Sequence, residues 1–423
     1  MKPRSLSRRR FLTGIAVAAT APALLAADKK SITLAVAFDP AIERFMKERG
    51  TPGGALAVVK DRRLVYARGY GWADREQQVP ATPQSLFRIA SLSKPFTAVA
   101  VLKLVEERKL QLDAKVFTLL DLDSQIPSGR TLDARWKAIT LRQLLHHTAG
   151  WDRDQSGDPM FKPIKIPRDL GEPGPASAAQ VIRWMLGQPL DTDPGAHYAY
   201  SNFGYCLLGR VIEKATGQPY EKHLQQHILS PAGIKRMRIG ASLEAGRADS
   251  EVRYYTKNDD QTWSVFHDAP VKVPYPYGGF HLEAMDAHGG WIASAVDLVR
   301  FAAALDPVAH SPLLKPEASA LLYEAPAAPV SRDAEGKLKD SWYGSGWQVR
   351  PMPGGKSNSW HSGSLPGTST FLARLANGLS YAMLFNQRSE DRKLGDASLD
   401  SVLGRAANSV TDWPQENLFS RFP

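Results

Sequence analysis

A chain of 423 residues is long enough to bury a full core and to form one large domain or two lobes. The single cysteine, Cys206, excludes an intramolecular disulfide, so packing must stabilise the fold. The formal net charge is +10, and residues 1–27 carry basic side chains but no acidic one. The remaining basic residues are scattered among acidic ones, which is typical of a solvated surface and argues against a nucleic-acid partner.

The first residues follow the order of an export signal. Ser7–Leu12 reads Ser-Arg-Arg-Arg-Phe-Leu, the twin-arginine pattern, and the apolar run Ile15–Leu25 is too short to span a bilayer. Small residues at Ala26 and Ala27 offer a cleavage site. We therefore expect residues 1–27 to be a twin-arginine signal peptide. It would send the folded protein through the twin-arginine export machinery to the periplasm or outside the cell, with no stable membrane anchor. A basic, disordered tail is the alternative.

The next segments predict a strand pair followed by a buried helix. Ala55–Val59 and Leu64–Arg68 are apolar runs that flank a charged turn, as two neighbouring strands do. Apolar residues then cover a wide face of Thr97–Leu110, which indicates a largely buried helix. Pro95 stands in the first turn of that helix, where proline is tolerated.

The middle of the chain, roughly 116–284, is loop-rich and contains helical islands. Three of them are predicted over Leu141–His147, Ala178–Leu186 and Asn202–Thr216. This segment has the character of a helical lobe that separates two parts of a sheet.

The end of the chain returns to strands. Residues 346–349, 371–375 and 381–385 have strand character, and Asn377-Gly378 predicts a hairpin between the last two. A closing helix is predicted over residues 399–407. Strands at both ends of the chain indicate one sheet built from both ends, with the helical lobe inserted between its halves and a site at the seam.

The pair Ser91 and Lys94 carries the chemistry that decides the function. Residues three apart share a helical face, so the lysine amine can reach the serine hydroxyl. A serine at a helix N-terminus faces unpaired N–H groups, and burial would lower the pKa of the lysine toward that of a proton acceptor. The alternative is an N-cap serine, at Ser91 or Ser93, beside an exposed lysine.

Two later motifs supply the partners that such a pair needs. Tyr200 can exchange a proton as base and then as acid, and the amide of Asn202 can hold both the lysine and a substrate carbonyl. The alternative there is a loop tyrosine and a helix-capping asparagine. His361-Ser362-Gly363 contains a glycine that permits close approach of a ligand, and the N–H groups of Ser364 and Ser91 could form an oxyanion hole. An ordinary turn is the alternative for this motif.

In this order, the three motifs resemble those of the serine hydrolases of the β-lactamase and penicillin-binding-protein superfamily. The resemblance is strongest to the branch of class C β-lactamases, D-alanyl-D-alanine carboxypeptidases and family VIII esterases, and it extends over roughly residues 38–386. Further stretches share it: Leu86–Thr97 around the serine, Leu144–Gly150, Pro194-Gly195, Gly289–Ser294 and Tyr343–Trp347. The resemblance implies an α/β, β-lactamase-like fold over residues 28–423, with an antiparallel sheet and flanking helices.

The resemblance also implies a role for each motif residue. Ser91 would be the nucleophile, and Lys94 and Tyr200 would share the general-base role, with Tyr200 as the expected proton donor to the leaving group. Asn202 would orient Lys94 and the substrate. Substrate binding would further involve His361, Gly363 and Ser364. His361 stands where many members have lysine, and a neutral imidazole attracts a carboxylate less strongly, which weakens the case for efficient β-lactam hydrolysis.

These features predict a serine hydrolase that cleaves an ester or amide through an acyl-serine intermediate. Small esters rank first as substrates, D-amino-acid peptides second and β-lactams third. A non-hydrolytic peptidoglycan sensor or binding protein is the alternative. No cofactor is expected. His223 and His227 have the spacing of metal ligands, but no glutamate follows the first, so no metal site is expected there.

Overall fold

The computed structural model describes residues 29–267, 269–306, 311–389 and 397–423, so the predicted signal peptide lies outside the described residues. Its strands, in chain order, are β1 (Gly53–Lys60), β2 (Arg63–Asp74), β3 (Val79–Pro80), β4 (Phe87–Arg88), β5 (Arg238–Ile239), β6 (Gln261–Trp263), β7 (Lys272–Pro274), β8 (Trp291–Ala293), β9 (Trp342–Tyr343), β10 (Gln348–Met352), β11 (Lys356–Leu365), β12 (Thr368–Arg374) and β13 (Leu379–Phe385).

The α-helices alternate with these strands and dominate the middle of the chain. They are α1 (Lys29–Arg49), α2 (Ser93–Glu106), α3 (Val116–Leu119), α4 (Leu141–Leu145), α5 (Arg153–Ser156), α6 (Lys165–Leu170), α7 (Ala178–Leu186), α8 (Asn202–Thr216), α9 (Tyr220–Leu224), α10 (Asp286–Gly289), α11 (Ala295–Ala304), α12 (Pro316–Ala320) and α13 (Ala397–Asn408). No helix within the described ranges has the length and apolar character needed to cross a membrane.

The main sheet joins the two ends of the chain, as the sequence predicts. Its spatial order is β3-β2-β1-β13-β12-β11-β10-β9, and all neighbouring strands are antiparallel. β1 and β13 meet at the centre with Ala57 opposite Ala382. Helices α3–α9 lie between the two groups of strands in sequence and form the inserted helical segment.

Alternating side chains of the central strands serve two separate cores. In β1, Ala55, Ala57 and Val59 face the larger core, which also contains helices α2 and α11, whereas Leu56 and Val58 face a second core beneath α1 and α13. Because strand side chains alternate between faces, one apolar run contributes side chains to both cores. The sheet is therefore covered by helices on both sides.

Three elements differ from the sequence prediction. Helix α1 was not predicted, and helix α2, whose apolar pattern was expected to extend to Leu110, ends at Glu106. β10 begins at Gln348 instead of residue 346, because Gly346 has a φ of +78° and approaches the Lys94 carbonyl so closely that a Cβ would lie 3.0 Å from it. His361-Ser362-Gly363 lies inside β11, so it is not the ordinary turn that the sequence allowed as the alternative.

Candidate active site

Ser91 lies in a tight turn between a short strand and a buried helix. β4 pairs with β8, and the Ile89 N–H donates to the Trp291 carbonyl at 2.9 Å, which fixes the backbone just before the serine. Ala90 has a φ of +48°, a left-handed conformation that costs a non-glycine residue about 1 kcal/mol or more. Residues 90–92 form a 3₁₀ turn that runs into α2, so Ser91 is presented at the N-terminal end of that helix.

Lys94 follows one turn later and is fully buried. Its Nζ lies 3.1 Å from Ser91 Oγ, 2.7 Å from Asn202 Oδ1 and 2.8 Å from the His288 carbonyl oxygen. The amide and carbonyl oxygens can only accept hydrogen bonds, so each takes one N–H of the amine. The third direction around the nitrogen points at the serine hydroxyl.

The environment of Lys94 favours its neutral form. Burial lowers the pKa of Lys94 well below that of a free lysine, the nearby Asp158 carboxylate opposes this shift, and the Arg153 charge adds to it. A neutral amine has two N–H bonds and one lone pair. With both N–H bonds used, the lone pair faces Ser91, and the serine hydroxyl can donate to it as a nucleophile donates to its base.

Tyr200 lies beside this pair, in the loop that precedes α8. Lys94 Nζ is 4.8 Å from the centre of the tyrosine ring, and the His147 ring centre is 4.3 Å away on another side. The phenol oxygen is buried and makes no hydrogen bond within the described residues. Burial raises the pKa of Tyr200, although nearby Ser91 lowers it in part. Tyr200 therefore holds its proton at neutral pH, which suits a proton donor better than a phenolate base.

Asn202 is held at both ends of its amide. Its Oδ1 accepts from Lys94, and its Nδ2 donates to Asp158 Oδ2 at 2.6 Å. The other oxygen of Asp158 accepts from the Met160 N–H at 3.0 Å. Because a carboxylate only accepts hydrogen bonds, Asp158 fixes the direction in which the amide points. The structure thus shows the predicted contact with Lys94, while Asp158 accepts from one of the two N–H donors of the amide.

His361 is buried and locked by two hydrogen bonds. Its Nδ1 lies 2.7 Å from the Ser362 carbonyl oxygen, which requires a proton on Nδ1, and its Nε2 then accepts from the Tyr343 hydroxyl at 2.9 Å. Burial lowers the pKa of His361 to about 3, and a proton on Lys94 acts in the same direction when that amine is charged. The imidazole is therefore neutral at physiological pH, and both of its nitrogens are occupied by the protein itself.

Gly363 and Ser364 lie where β11 passes the nucleophile. β10 pairs with β11 only over residues 356–360, so among the described strands the following residues have an unpaired edge on that side. Ser362 and Ser364 alternate with buried Gly363 and line the same cavity as Ser91. The oxyanion hole itself stays a prediction, with Ser364 placed in the same cavity as Ser91.

We expect Gly363→Ala to separate β11 from the nucleophile turn. A Cβ at this position would lie 2.2 Å from the Ile89 carbonyl oxygen and 2.3 Å from Thr370 Oγ1. Relief of that overlap should destabilise the fold by about 1 to 3 kcal/mol. It should also lower the rate of any ester hydrolysis at this site at least tenfold, on the order of one lost oxyanion donor or more. Urea unfolding and initial rates measure the two effects. Gly404→Ala is the matched control, since nothing lies within 4 Å of its Cβ position; equal behaviour of the two variants would contradict the close approach.

A cavity of about 480 Å³ opens beside Ser91. Aromatic side chains form much of its wall, and no carboxylate lines it. Its lining residues are Ser91, Arg153, Tyr198, Tyr200, Tyr343, Gln348, Trp360, His361, Ser362 and Ser364. Within the described ranges, no group of three or more His, Cys, Asp or Glu residues is arranged to hold a metal ion.

The structure brings together all seven site residues that the sequence singled out, and it adds three. Asp158, Arg153 and Tyr343 were not predicted. Asp158 precedes Pro159, which signals only a turn, and Arg153 follows Trp151-Asp152 in a polar loop. Tyr343 lay within one of the stretches that carried the resemblance, so its neighbourhood was identified without its contact to His361.

Comparison with known proteins places the chain in a family. The Beta-lactamase family profile matches residues 38–403, and the chain therefore belongs to the β-lactamase family. The putative penicillin-binding protein PbpX of Bacillus subtilis is 26% identical over 371 residues, which cover 84% of this chain and 76% of that protein. Over two other curated relatives, this chain spans only 66% and 52% of their length.

Solved structures share the fold over almost the whole chain. EstCE1, a hydrolase with promiscuous acyltransferase activity, has a TM-score of 0.66 at 21% identity and covers 90% of this chain and 99% of its own. The D-amino acid amidase from Ochrobactrum anthropi SV3 has a TM-score of 0.65 at 20% identity with the same coverage. At these identities the likeness establishes the β-lactamase-like fold.

Proposed function

We propose that this protein is a serine hydrolase that cleaves an ester or amide bond through an acyl-serine intermediate. One observation carries the proposal: Lys94 Nζ is buried, lies 3.1 Å from Ser91 Oγ, and has acceptors for both N–H bonds of a neutral amine. Its lone pair is left for the serine proton. A surface lysine, charged and mobile, would not act in this way.

In the proposed reaction, Ser91 Oγ attacks the carbonyl carbon while its proton passes to Lys94 Nζ. The N–H groups of Ser91 and Ser364 stabilise the negative charge on the carbonyl oxygen. Collapse of the tetrahedral intermediate breaks the bond to the leaving group, which takes a proton from Tyr200; the proton held on Lys94 restores the tyrosine. Water then attacks the acyl-serine by the reverse proton path and releases the acid.

The proposed substrates are small esters first, D-amino-acid peptides or amides second and β-lactams third. A cavity of about 480 Å³ with aromatic walls suits a compact acyl group. The neutral, internally bonded His361 gives no cation for a β-lactam carboxylate at the position on β11 where the resemblance implies a lysine. A hydrolase and a D-amino acid amidase share the fold, which supports the first two classes without choosing between them.

The test is covalent labelling during turnover of p-nitrophenyl acetate. We expect a burst of nitrophenol followed by slower turnover, and an acetyl increment on the peptide that contains Ser91. Ser91→Ala should show neither. Ser362→Ala is the matched control, because Ser362 lines the same cavity and its variant should still be labelled at Ser91. Absence of label, together with full activity of Ser91→Ala, would overturn the proposal.

The same experiment separates a hydrolase from a non-hydrolytic sensor. A stable adduct on Ser91 that is never released would favour the peptidoglycan-binding alternative and contradict turnover. The proposal also includes export, based on the twin-arginine pattern at Ser7–Leu12; substitution of both arginines Arg8 and Arg9 by lysine should leave the protein in the cytoplasm, as fractionation would show.

A further inference from the structure

The site cavity contains one formal positive charge and no negative one. Arg153 is the only lysine or arginine among its lining residues, and none of the others is an aspartate or glutamate. His361 is neutral, since burial lowers its pKa to about 3. Lys94 lies behind the cavity wall and does not line it. The guanidinium of Arg153 is therefore the one formally charged group among the residues that line the cavity.

Arg153 is positioned but not neutralised. It begins the short helix α5, is exposed, and its guanidinium carbon lies 4.6 Å from the centre of the Tyr200 ring. Stacking on an aromatic ring orients a guanidinium without using its N–H donors. Within the described residues, no carboxylate or carbonyl group accepts a hydrogen bond from Arg153, and no ion pair includes it. Arg153 lines both this cavity and the neighbouring one, and its N–H donors are left without a protein acceptor among the described residues.

The opposite walls of the cavity are aromatic. Tyr198, Tyr343 and Trp360 line it together with the ring of Tyr200, and the Tyr198 and Tyr343 ring centres lie 6.1 Å apart. A ligand that fits has an apolar body near the nucleophile and an acceptor for the guanidinium. Planar guanidinium groups bind carboxylates through two parallel hydrogen bonds.

We propose that Arg153 binds a carboxylate of the substrate, so that the site prefers carboxylate-bearing esters or amides to their neutral counterparts. This inference rests on the proposed function and names its substrate class. The carboxylate can belong to the acyl part of the substrate or to the leaving group. In either position the group that Arg153 binds is a carboxylate. The substrates used in the test distinguish the two positions.

The test compares matched charged and neutral esters. For an acyl carboxylate, the pair is mono-p-nitrophenyl glutarate and its methyl ester; for a leaving-group carboxylate, it is 3-acetoxybenzoate and its methyl ester. We expect the parent protein to prefer the anion in one pair. Arg153→Gln should reduce the anionic-to-neutral ratio of kcat/KM in that pair by about 10- to 100-fold, as expected for loss of a charge-assisted hydrogen bond.

The controls separate a specific contact from general charge. Arg130→Gln removes an arginine that lines the neighbouring cavity and not this one, and it should leave the ratio unchanged. Arg153→Lys should keep part of the preference as a point charge. No preference for the anion in either pair, or an unchanged ratio in Arg153→Gln, would overturn the inference.

Binding measurements keep this inference distinct from the proposed function. If no ester is turned over, calorimetric titration of monomethyl glutarate and of 3-hydroxybenzoate still reports on Arg153. We expect one of them to bind the parent protein at low ionic strength and to bind Arg153→Gln at least tenfold more weakly. Absence of turnover with that result would refute the hydrolase and leave the carboxylate site; equal binding by both proteins would refute the site.

Discussion

Ser91→Ala, Lys94→Met and the double variant should each reduce kcat for an activated ester by a similar factor, on the order of 10⁴ or more. The first change removes the nucleophile, and the second leaves the hydroxyl without an acceptor for its proton. Because Lys94 Nζ lies 3.1 Å from Ser91 Oγ, the two groups act as one unit. The second substitution therefore has little activity left to remove, and a double-mutant cycle of steady-state rates measures that coupling.

The fold of Lys94→Met should survive, which keeps this test interpretable. Burying the apolar side chain removes the desolvation cost of the amine, whereas Asn202 Oδ1 and the His288 carbonyl each lose a donor. These effects oppose each other, so the free energy of unfolding should change by no more than about 2 kcal/mol. Lys103→Met is the matched control, since Lys103 lies on the same helix and pairs with Glu106 away from the site. Lys94→Met with more than a tenth of the parent kcat would show that another group accepts the serine proton.

Local patterns predicted the elements that hold the catalytic motifs. The helices over Ala178–Leu186 and Asn202–Thr216 have the bounds that their apolar periodicity and capping residues indicate. The hairpin between β12 and β13 is also confirmed, and Gly378 has the φ of +81° for which an Asn-Gly pair is suited. In these segments the sequence over a few neighbouring residues determines the backbone.

Helix α1 was missed although it carries a usable signal. Leu34, Phe38, Ile42 and Phe45 follow the i, i+4, i+8 and i+11 spacing of one helical face, and all are buried against the sheet. Pro40 inside the helix hides this pattern, because proline ordinarily interrupts helices. Periodicity over the whole segment is the stronger criterion here.

The contacts that tune the site could not be predicted from the sequence. Asp158 accepts a hydrogen bond from Asn202, which is 44 positions away in the chain. Tyr343 of β9 donates to His361 of β11, and β10 lies between these two strands in the sheet. Neither pair has a local pattern, since each depends on how loops of the helical segment or edges of the sheet come together. Sequence motifs thus indicated which groups are candidates for the chemistry, while the protonation states of Lys94, Tyr200 and His361 follow from burial in the folded protein.

The protein should lose stability steeply as the pH falls from 6.5 to 5. Five imidazoles are buried among the described residues, and burial is the largest cause that lowers the pKa of each: to about 4 for His146 and His223, to about 3 for His361, and well below 6.5 for His147 and His288. In the unfolded chain they take up protons near pH 6.5. The unfolded state therefore binds more protons than the folded state below that pH, and acidification favours unfolding.

The expected effect is comparable to the whole stability of a typical domain. Each neutral buried imidazole lowers the free energy of unfolding by up to about 1.4 kcal/mol per pH unit below 6.5, so five of them amount to on the order of 7 kcal/mol at pH 5.5. The free energy of unfolding of native proteins is only about 5 to 15 kcal/mol. Urea unfolding between pH 8 and 5 at constant ionic strength measures this slope, and the imidazole contribution should fade above about pH 7.5, where the imidazoles of both states are neutral.

His288→Leu removes one of these buried imidazoles and so isolates its contribution to the pH dependence of the unfolding free energy. The His288 Nε2 is buried without a hydrogen-bond partner in the described structure, and the contact with Lys94 uses the backbone carbonyl of His288, which leucine retains. The variant should therefore reduce the slope of unfolding free energy against pH by up to about 1.4 kcal/mol per unit between pH 5 and 6. Stability that is independent of pH over this range, or an unchanged slope in His288→Leu, would show that these imidazoles are protonated inside the fold. The burial that keeps Lys94 and His361 neutral for catalysis would then fail as an explanation as well, because the same desolvation acts on all of them.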